Sequence, residues 1–99
     1  MFVLFCDKMN PGKILYVIYQ MMKKVLKNSC ISYVKWDMNR NITESYGTSL
    51  RAEQQGEFFH RYILGVYDLY ERLITDFPEI LFESCASGGA RFDAGMLYY

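Results

Sequence analysis

The segment YVKWDMNRNITE, residues 33–44, places a cation, an indole and a carboxylate at the end of an apolar run. Side chains two positions apart on a β-strand point to the same face, so Lys35 and Asp37 are predicted to converge on one spot. A neighbouring ammonium favours the charged form of a carboxylate, which suits a nucleophile better than a proton donor. Enzymes that split sugars use such a carboxylate against an anomeric carbon, together with a second, protonated carboxyl group.

Other polar residues follow the predicted strands at the same relative place. The residues expected at these strand ends are Asp7 after the first strand, Lys35, Asp37, Asn39 and Arg40 at the second, and Glu83, Ser84 and Cys85 at the third. In parallel barrels the active site lies at the carboxyl ends of the strands and in the loops that follow them. We therefore expect these groups to gather on one rim.

The elements that would position these residues alternate along the chain. Strands are predicted at residues 3–6, 31–36 and 80–84, a first helix from Asn10 and Pro11 to about residue 27, and a long helix over residues 50–75. Apolar residues recur at helical spacing in both helical segments, and β-branched and aromatic residues fill the strands. The order β-α-β-α-β favours parallel strands joined by crossovers.

Three strands and two helices leave both edges of the sheet open, and a (β/α)8 barrel needs about 250 residues. We therefore predict an α/β fold in which residues 1–99 are a fragment of a single catalytic (β/α)8 TIM-barrel domain, truncated at both ends.

Composition narrows the function classes. The 99 residues are 52% hydrophobic with a formal net charge of +0, which is typical of a globular protein and gives no support to nucleic-acid or membrane-surface binding. No apolar run reaches the roughly 20 residues of a membrane span. The three cysteines, Cys6, Cys30 and Cys85, lack metal-ligand spacing, so we expect reduced thiols in a cytoplasmic protein.

Each of these features also has a simpler explanation. Asp37 after a strand can be only a loop or helix cap, and Lys35 can extend along the surface to reach water. Cys85 can be a small buried hydrophobic residue, and the SGGAR stretch can be only a flexible turn. His60 lies inside the long predicted helix and is expected to be structural or on the surface. Position and composition alone predict only part of an enzyme-like barrel.

The amino-acid sequence of two segments gives a more specific indication of function. YVKWDMNRNITE and LFESCASGGARFDAGMLYY strongly resemble the α-galactosidases (melibiases) of glycoside hydrolase family 36, as does the intervening QGEFFHRYILGVYDLYERL helix. The resemblance covers essentially the whole chain. It implies a retaining mechanism on terminal α-linked galactose, as in melibiose and raffinose-type oligosaccharides, with no metal or organic cofactor. A homo-oligomeric parent enzyme is compatible with it.

The resemblance also implies roles for individual residues. Asp37 matches the nucleophile that forms the galactosyl-enzyme. Lys35 and Asn39 match positions that hold hydroxyls of the galactose ring. Cys85 and Gly88 match positions where a thiol and a backbone N–H approach the sugar. Glycine suits the last role because it lets the backbone come close to a ligand.

The second carboxyl group is the open question. From the residues alone, Asp93 is the candidate partner of Asp37. In the family, however, the proton donor is an aspartate of a WTSD-like motif beyond GMLYY, and this chain ends at Tyr99 before such a motif. Asp93 is therefore expected to be structural, holding Arg91 or backbone groups of its loop. One departure lies nearby, because Ala90 replaces a glycine of the family's usual run.

Two other functions remain open from the sequence. A relative that acts on α-linked N-acetylgalactosamine would differ around the second carbon of the sugar. A non-catalytic carbohydrate-binding piece of a barrel would keep the fold without the chemistry, although Lys35 and Asp37 are both present. We expect the 99 residues by themselves to be inactive because the expected acid is absent.

Overall fold

A computed structural model describes residues 11–39, 42–43, 45–86 and 92–99 of the chain. The predicted first strand, residues 3–6, and the predicted site residues Asp7, Arg40 and Gly88 lie outside the described residues.

The described elements are two helices and two strands in alternation. They are α1 (Pro11–Lys27), β1 (Tyr33–Asp37), α2 (Phe58–Asp76) and β2 (Leu81–Cys85), with short 3-10 helices at Ala52–Glu57 and Gly95–Tyr98. The two strands pair in parallel, with Tyr33 opposite Leu81 and Asp37 opposite Cys85. The predicted α/β class and the parallel pairing of these two strands are confirmed.

The predicted start of the long helix at residue 50 is wrong. The chain from Ala52 to Glu57 forms a 3-10 helix, and α2 begins only at Phe58. The side chain of Gln55 bonds backbone groups of the preceding loop, and Gly56 lowers the preference for regular helix. The end of α2 agrees with the prediction, because Pro78 excludes the helical conformation from the residue before it.

The helices cover one face of the strand pair. Val34 and Trp36 of β1 and Phe82 of β2 point toward them, and the indole of Trp36 stacks on the ring of Tyr70 with 4.8 Å between centroids. The buried core is formed by Tyr19, Leu26, Val66, Leu69, Tyr70, Leu73, Phe77, Ile80, Phe82 and Met96. Since side chains alternate along a strand, Lys35 and Asp37 must point away from the helices.

A polar link joins the two helices near the C-terminus of α2. The Asp76 carboxylate accepts hydrogen bonds from the Tyr19 hydroxyl and from the Lys23 ammonium of α1. These bonds hold the pKa of Asp76 below its usual value and raise that of Lys23. The link joins α1 to the last residue of α2, just before the chain enters β2, whereas the site residues lie at the carboxyl ends of the strands.

Candidate functional site

The carboxyl ends of β1 and β2 bring the predicted site residues together. Asp37 and Cys85 are direct partners in the strand register, and the ladder continues with a 2.9 Å bond from Met38 N–H to the Cys85 carbonyl. Lys35 lies one pleat earlier on the same face, opposite Glu83. The prediction that Asp37 and Cys85 share one edge of the sheet is confirmed.

Asp37 is held in its ionised form. The Asn39 side-chain amide donates to its Oδ2 at 2.7 Å, and this bond is the largest cause that lowers the pKa of the carboxyl group. The Cys85 thiol, the Met38 backbone and the positive charge of Lys35 act in the same direction, against the opposing effect of partial desolvation. An ionised carboxylate at the end of a strand can act as a nucleophile and cannot act as a proton donor.

The Cys85 sulfur is a thiol rather than a thiolate. It forms a hydrogen bond with Asp37, and this bond together with desolvation raises the pKa of Cys85. A thiolate would repel the carboxylate, whereas an S–H group can donate to it. Cys30 and Cys85 are both free of disulfide bonds.

Lys35 pairs across the strands. Its Nζ lies 3.6 Å from Glu83 Oε1, and both side chains are about half exposed. The sequence placed Glu83 at the strand end without a role. If Asp37 and Cys85 are register partners, Glu83 lies opposite Lys35. The pairing of the two strands was therefore enough to predict this contact.

Gln55 holds the end of the loop that follows Asp37, at residues 47–50. The Gln55 side chain accepts a hydrogen bond from Gly47 N–H at 3.0 Å and donates to the Gly47 and Leu50 carbonyls at 2.8 and 2.7 Å. At the start of this loop Met38 is buried, and the Tyr62 hydroxyl donates to its sulfur. Sequence reasoning missed Gln55, because nothing in its spacing distinguishes it from Gln54 beside it.

Asp93 holds its own loop. Its Oδ1 accepts a 2.5 Å bond from the Tyr67 hydroxyl of α2 and a 3.0 Å bond from Met96 N–H. Tyr67 is the largest cause of the lowered pKa of Asp93, and the same bond raises the pKa of Tyr67 to about 12. A Cβ on Gly95 would collide with the Tyr67 hydroxyl, so a larger residue here would displace the Tyr67 side chain that bonds Asp93. The expectation that Asp93 binds loop backbone is confirmed, whereas Arg91 lies outside the described residues.

Residues 11–39, 42–43, 45–86 and 92–99 contain no cluster of three or more His, Cys, Asp or Glu side chains arranged to hold a metal ion. Within the same residues, neither helix combines the length and apolar character needed to cross a bilayer.

The chain is similar in sequence to one family of known proteins. A sequence model of the family described as Melibiase matches residues 4–99. The chain is 54% identical over 82 residues to α-galactosidase 1 of Pediococcus pentosaceus, an alignment that covers 83% of this chain and 11% of the relative. It is 51% identical, over the same shares, to the AgaA α-galactosidase of Geobacillus stearothermophilus.

Solved structures show the same likeness. The crystal structure of the family 36 α-galactosidase AgaB from Geobacillus stearothermophilus matches with a TM-score of 0.80 and 48% identity, over 88% of this chain and 12% of that one. A variant of AgaA from the same organism, crystallised with stachyose, matches with a TM-score of 0.79 and 47% identity over the same shares. The chain therefore spans only about an eighth of the proteins it matches.

Proposed function

This chain belongs to the melibiase family, and on that premise we propose that it carries the nucleophile half of the active site of a retaining α-galactosidase. The observation that carries the proposal is the ionised carboxylate of Asp37 at the end of β1, bonded by Asn39 and by the thiol of its register partner Cys85. The α-galactosidase names of the relatives supply the reaction.

The proposed reaction has two displacements at one carbon. An Asp37 oxygen attacks C1 of a terminal α-galactoside, the bond from C1 to the leaving oxygen breaks, and an acid group protonates that oxygen. Water then attacks C1 of the β-linked galactosyl-enzyme as the same group removes its proton. Galactose leaves with its α configuration retained, and the Asp37 carboxylate is restored.

Substrate binding is proposed for the groups around Asp37. Lys35 and Asn39 would donate to hydroxyls of the galactose ring, and Cys85 and the backbone N–H of Gly88 would approach the same sugar. Lys35 and Cys85 support this by their place on the face that carries Asp37. The stachyose complex of the AgaA variant supports α-linked galactose at the end of an oligosaccharide, of the melibiose and raffinose type, as the substrate class.

We further propose that β1 and β2 are neighbouring strands of a (β/α)8 barrel and that the acid comes from another part of that barrel. Parallel strands joined by a helix and the small share of each relative that the chain spans support the first point. Asp93 supports the second, because a carboxyl group that acts as an acid needs a raised pKa, and that of Asp93 is lowered.

Replacing the nucleophile tests the proposal. In the complete protein that contains this chain, Asp37→Ala should lower kcat for an aryl α-galactoside by about 10⁴-fold or more, as when other nucleophiles are removed. Azide should restore part of the turnover and give the β-galactosyl azide through a single inversion. The control is Asp68→Ala, which removes a carboxylate that pairs with Arg72 on the surface of α2.

Unchanged turnover in Asp37→Ala would remove Asp37 from the mechanism. Hydrolysis of an aryl α-N-acetylgalactosaminide by the unmodified protein, with none of the galactoside, would replace the proposed substrate with the other sugar. Sugar binding without hydrolysis of either would support a non-catalytic carbohydrate-binding barrel.

A further inference from the structure

Among the described residues, two carboxylates lie within reach of the Lys35 ammonium. Glu83 lies directly across the sheet, and Asp37 lies two positions further along the same strand. Adjacent strands are about 4.8 Å apart, whereas residues two apart on one strand are separated by about 6.6 Å. Lys35 makes its contact across the shorter of these two separations, with its Nζ 3.6 Å from Glu83 Oε1.

The carboxylate oxygens of Asp37 accept hydrogen bonds from groups other than Lys35. Asn39 donates to Oδ2, and the Cys85 thiol bonds the same carboxylate. Lys35 affects Asp37 through its charge, and its effect on the pKa is smaller than those of the hydrogen bonds from Asn39 and Cys85. Within the described part of the site, Lys35 is thus drawn toward Glu83, and the Asp37 carboxylate takes its hydrogen bonds from neutral donors.

We propose that Glu83 is a positioning residue that holds the Lys35 ammonium away from Asp37 and directs it toward the sugar hydroxyls. An ammonium has three N–H donors, so one directed at Glu83 leaves two for the substrate. This inference rests on the proposed function, since it needs a galactose ring above Lys35. It adds a role for a residue that touches neither the sugar nor the reacting carbon.

Loss of Glu83 should change the carboxylate that the Lys35 ammonium contacts, because Glu83 and Asp37 compete for it. Without its charge, the Lys35 ammonium turns to Asp37, which is then the remaining carboxylate of the two. That ion pair forms in the free enzyme and must be broken when substrate binds. The cost therefore appears in KM, and kcat is little changed because Lys35 is released once the complex has formed.

The test uses Glu83→Gln in the complete protein that contains this chain. For an aryl α-galactoside we expect KM to rise about fivefold, at the upper end of the range for a half-exposed ion pair, with kcat within about twofold of the unmodified protein. Glu79→Gln, an exposed residue in the turn before β2, makes the same charge change and should leave both constants unaltered. Thermal stability should be equal in both variants, because a half-exposed ion pair contributes little to it.

Coupling to Lys35 separates positioning from a general charge effect. In a Lys35→Met background, Glu83→Gln should change kcat/KM by less than about twofold, because the group that it positions is gone. Glu83→Asp keeps the charge on a side chain one methylene shorter and should recover part of the KM. Equal KM for Glu83→Gln and the unmodified protein, or an effect of Glu83→Gln that is just as large without Lys35, would overturn the inference.

The outcomes separate this inference from the proposed function. An unmodified protein that hydrolyses no α-galactoside overturns both. An active protein that depends on Asp37 and is indifferent to Glu83→Gln overturns only the positioning role of Glu83.

Discussion

Removing the Gln55 side chain should loosen the end of the loop that follows Asp37, at residues 47–50. Gln55 makes three hydrogen bonds to that loop, one accepted from Gly47 N–H and two donated to the Gly47 and Leu50 carbonyls. A net contribution of about 1 kcal/mol for each bond gives about 3 kcal/mol for the set. The Leu50 N–H to Gly47 carbonyl bond remains in Gln55→Ala, and water replaces part of what is lost.

We therefore expect local opening of the loop to become easier by about 2 kcal/mol in Gln55→Ala, since only part of the three bonds is lost without replacement. At about 1.4 kcal/mol per factor of ten, this corresponds to about 30-fold faster amide exchange when exchange follows local opening. The Gly47 amide reports the change most directly, because its N–H loses its acceptor on Gln55. Hydrogen exchange followed by NMR or by mass spectrometry of peptides over residues 45–57 measures it.

The neighbouring glutamine provides the control. The Gln54 side chain bonds the Arg51 backbone N–H and guanidinium and makes no bond to Gly47 or Leu50 among the described contacts. Gln54→Ala should leave exchange at Gly47 within about twofold of the unmodified protein, as surface substitutions usually have small effects. Unaltered exchange at Gly47 in Gln55→Ala, or the same acceleration in Gln54→Ala, would refute the reasoning.

Two further predictions concern catalysis. Asn39→Ala removes the bond that most lowers the pKa of Asp37, so this pKa rises and the acidic limb of the kcat/KM profile should move to higher pH. The control Asn28→Ala, at the end of α1, should leave that limb in place. An unmoved limb in Asn39→Ala would contradict the assignment. The 99 residues alone should release no burst of dinitrophenolate from its α-galactoside and form no adduct on Asp37, because general acid catalysis, typically worth 10²–10⁴-fold, is lost together with substrate positioning. Steady turnover of melibiose by this chain would show that Asp93, or another carboxylate within it, serves as the acid.

The arrangement of strands and helices could be predicted because it follows from periodicity. Alternating segments of helical and strand character imply parallel pairing, and parallel pairing brings the carboxyl ends of the strands to one edge. Asp37 and Cys85 were placed together on this ground, and the register joins them directly. The roles proposed for them rest on the resemblance to known enzymes, because a carboxylate after a strand is common in proteins with no catalytic function.

The segment between β1 and α2 could not be predicted in the same way. Its conformation depends on side chains that bond backbone groups several residues away, as Gln55 bonds Gly47 and Leu50. Such contacts leave no period in the sequence, and residues 51–57 (RAEQQGE) carry no apolar repeat that marks where α2 begins. The 3-10 helix at Ala52–Glu57 is the structural consequence that the pattern did not contain.

The alternation of side chains along a strand could have assigned the polar residues at the end of the predicted third strand to the two faces of the sheet. Glu83, Ser84 and Cys85 were grouped because they are adjacent, but side chains alternate along a strand, and Ser84 is the register partner of Trp36. Trp36 stacks on Tyr70 in the helix layer, which fixes the face of β1 that turns inward. Glu83 and Cys85 therefore share the opposite face with Lys35 and Asp37. The aromatic contact on one side of the sheet thus determines which polar side chains meet on the other.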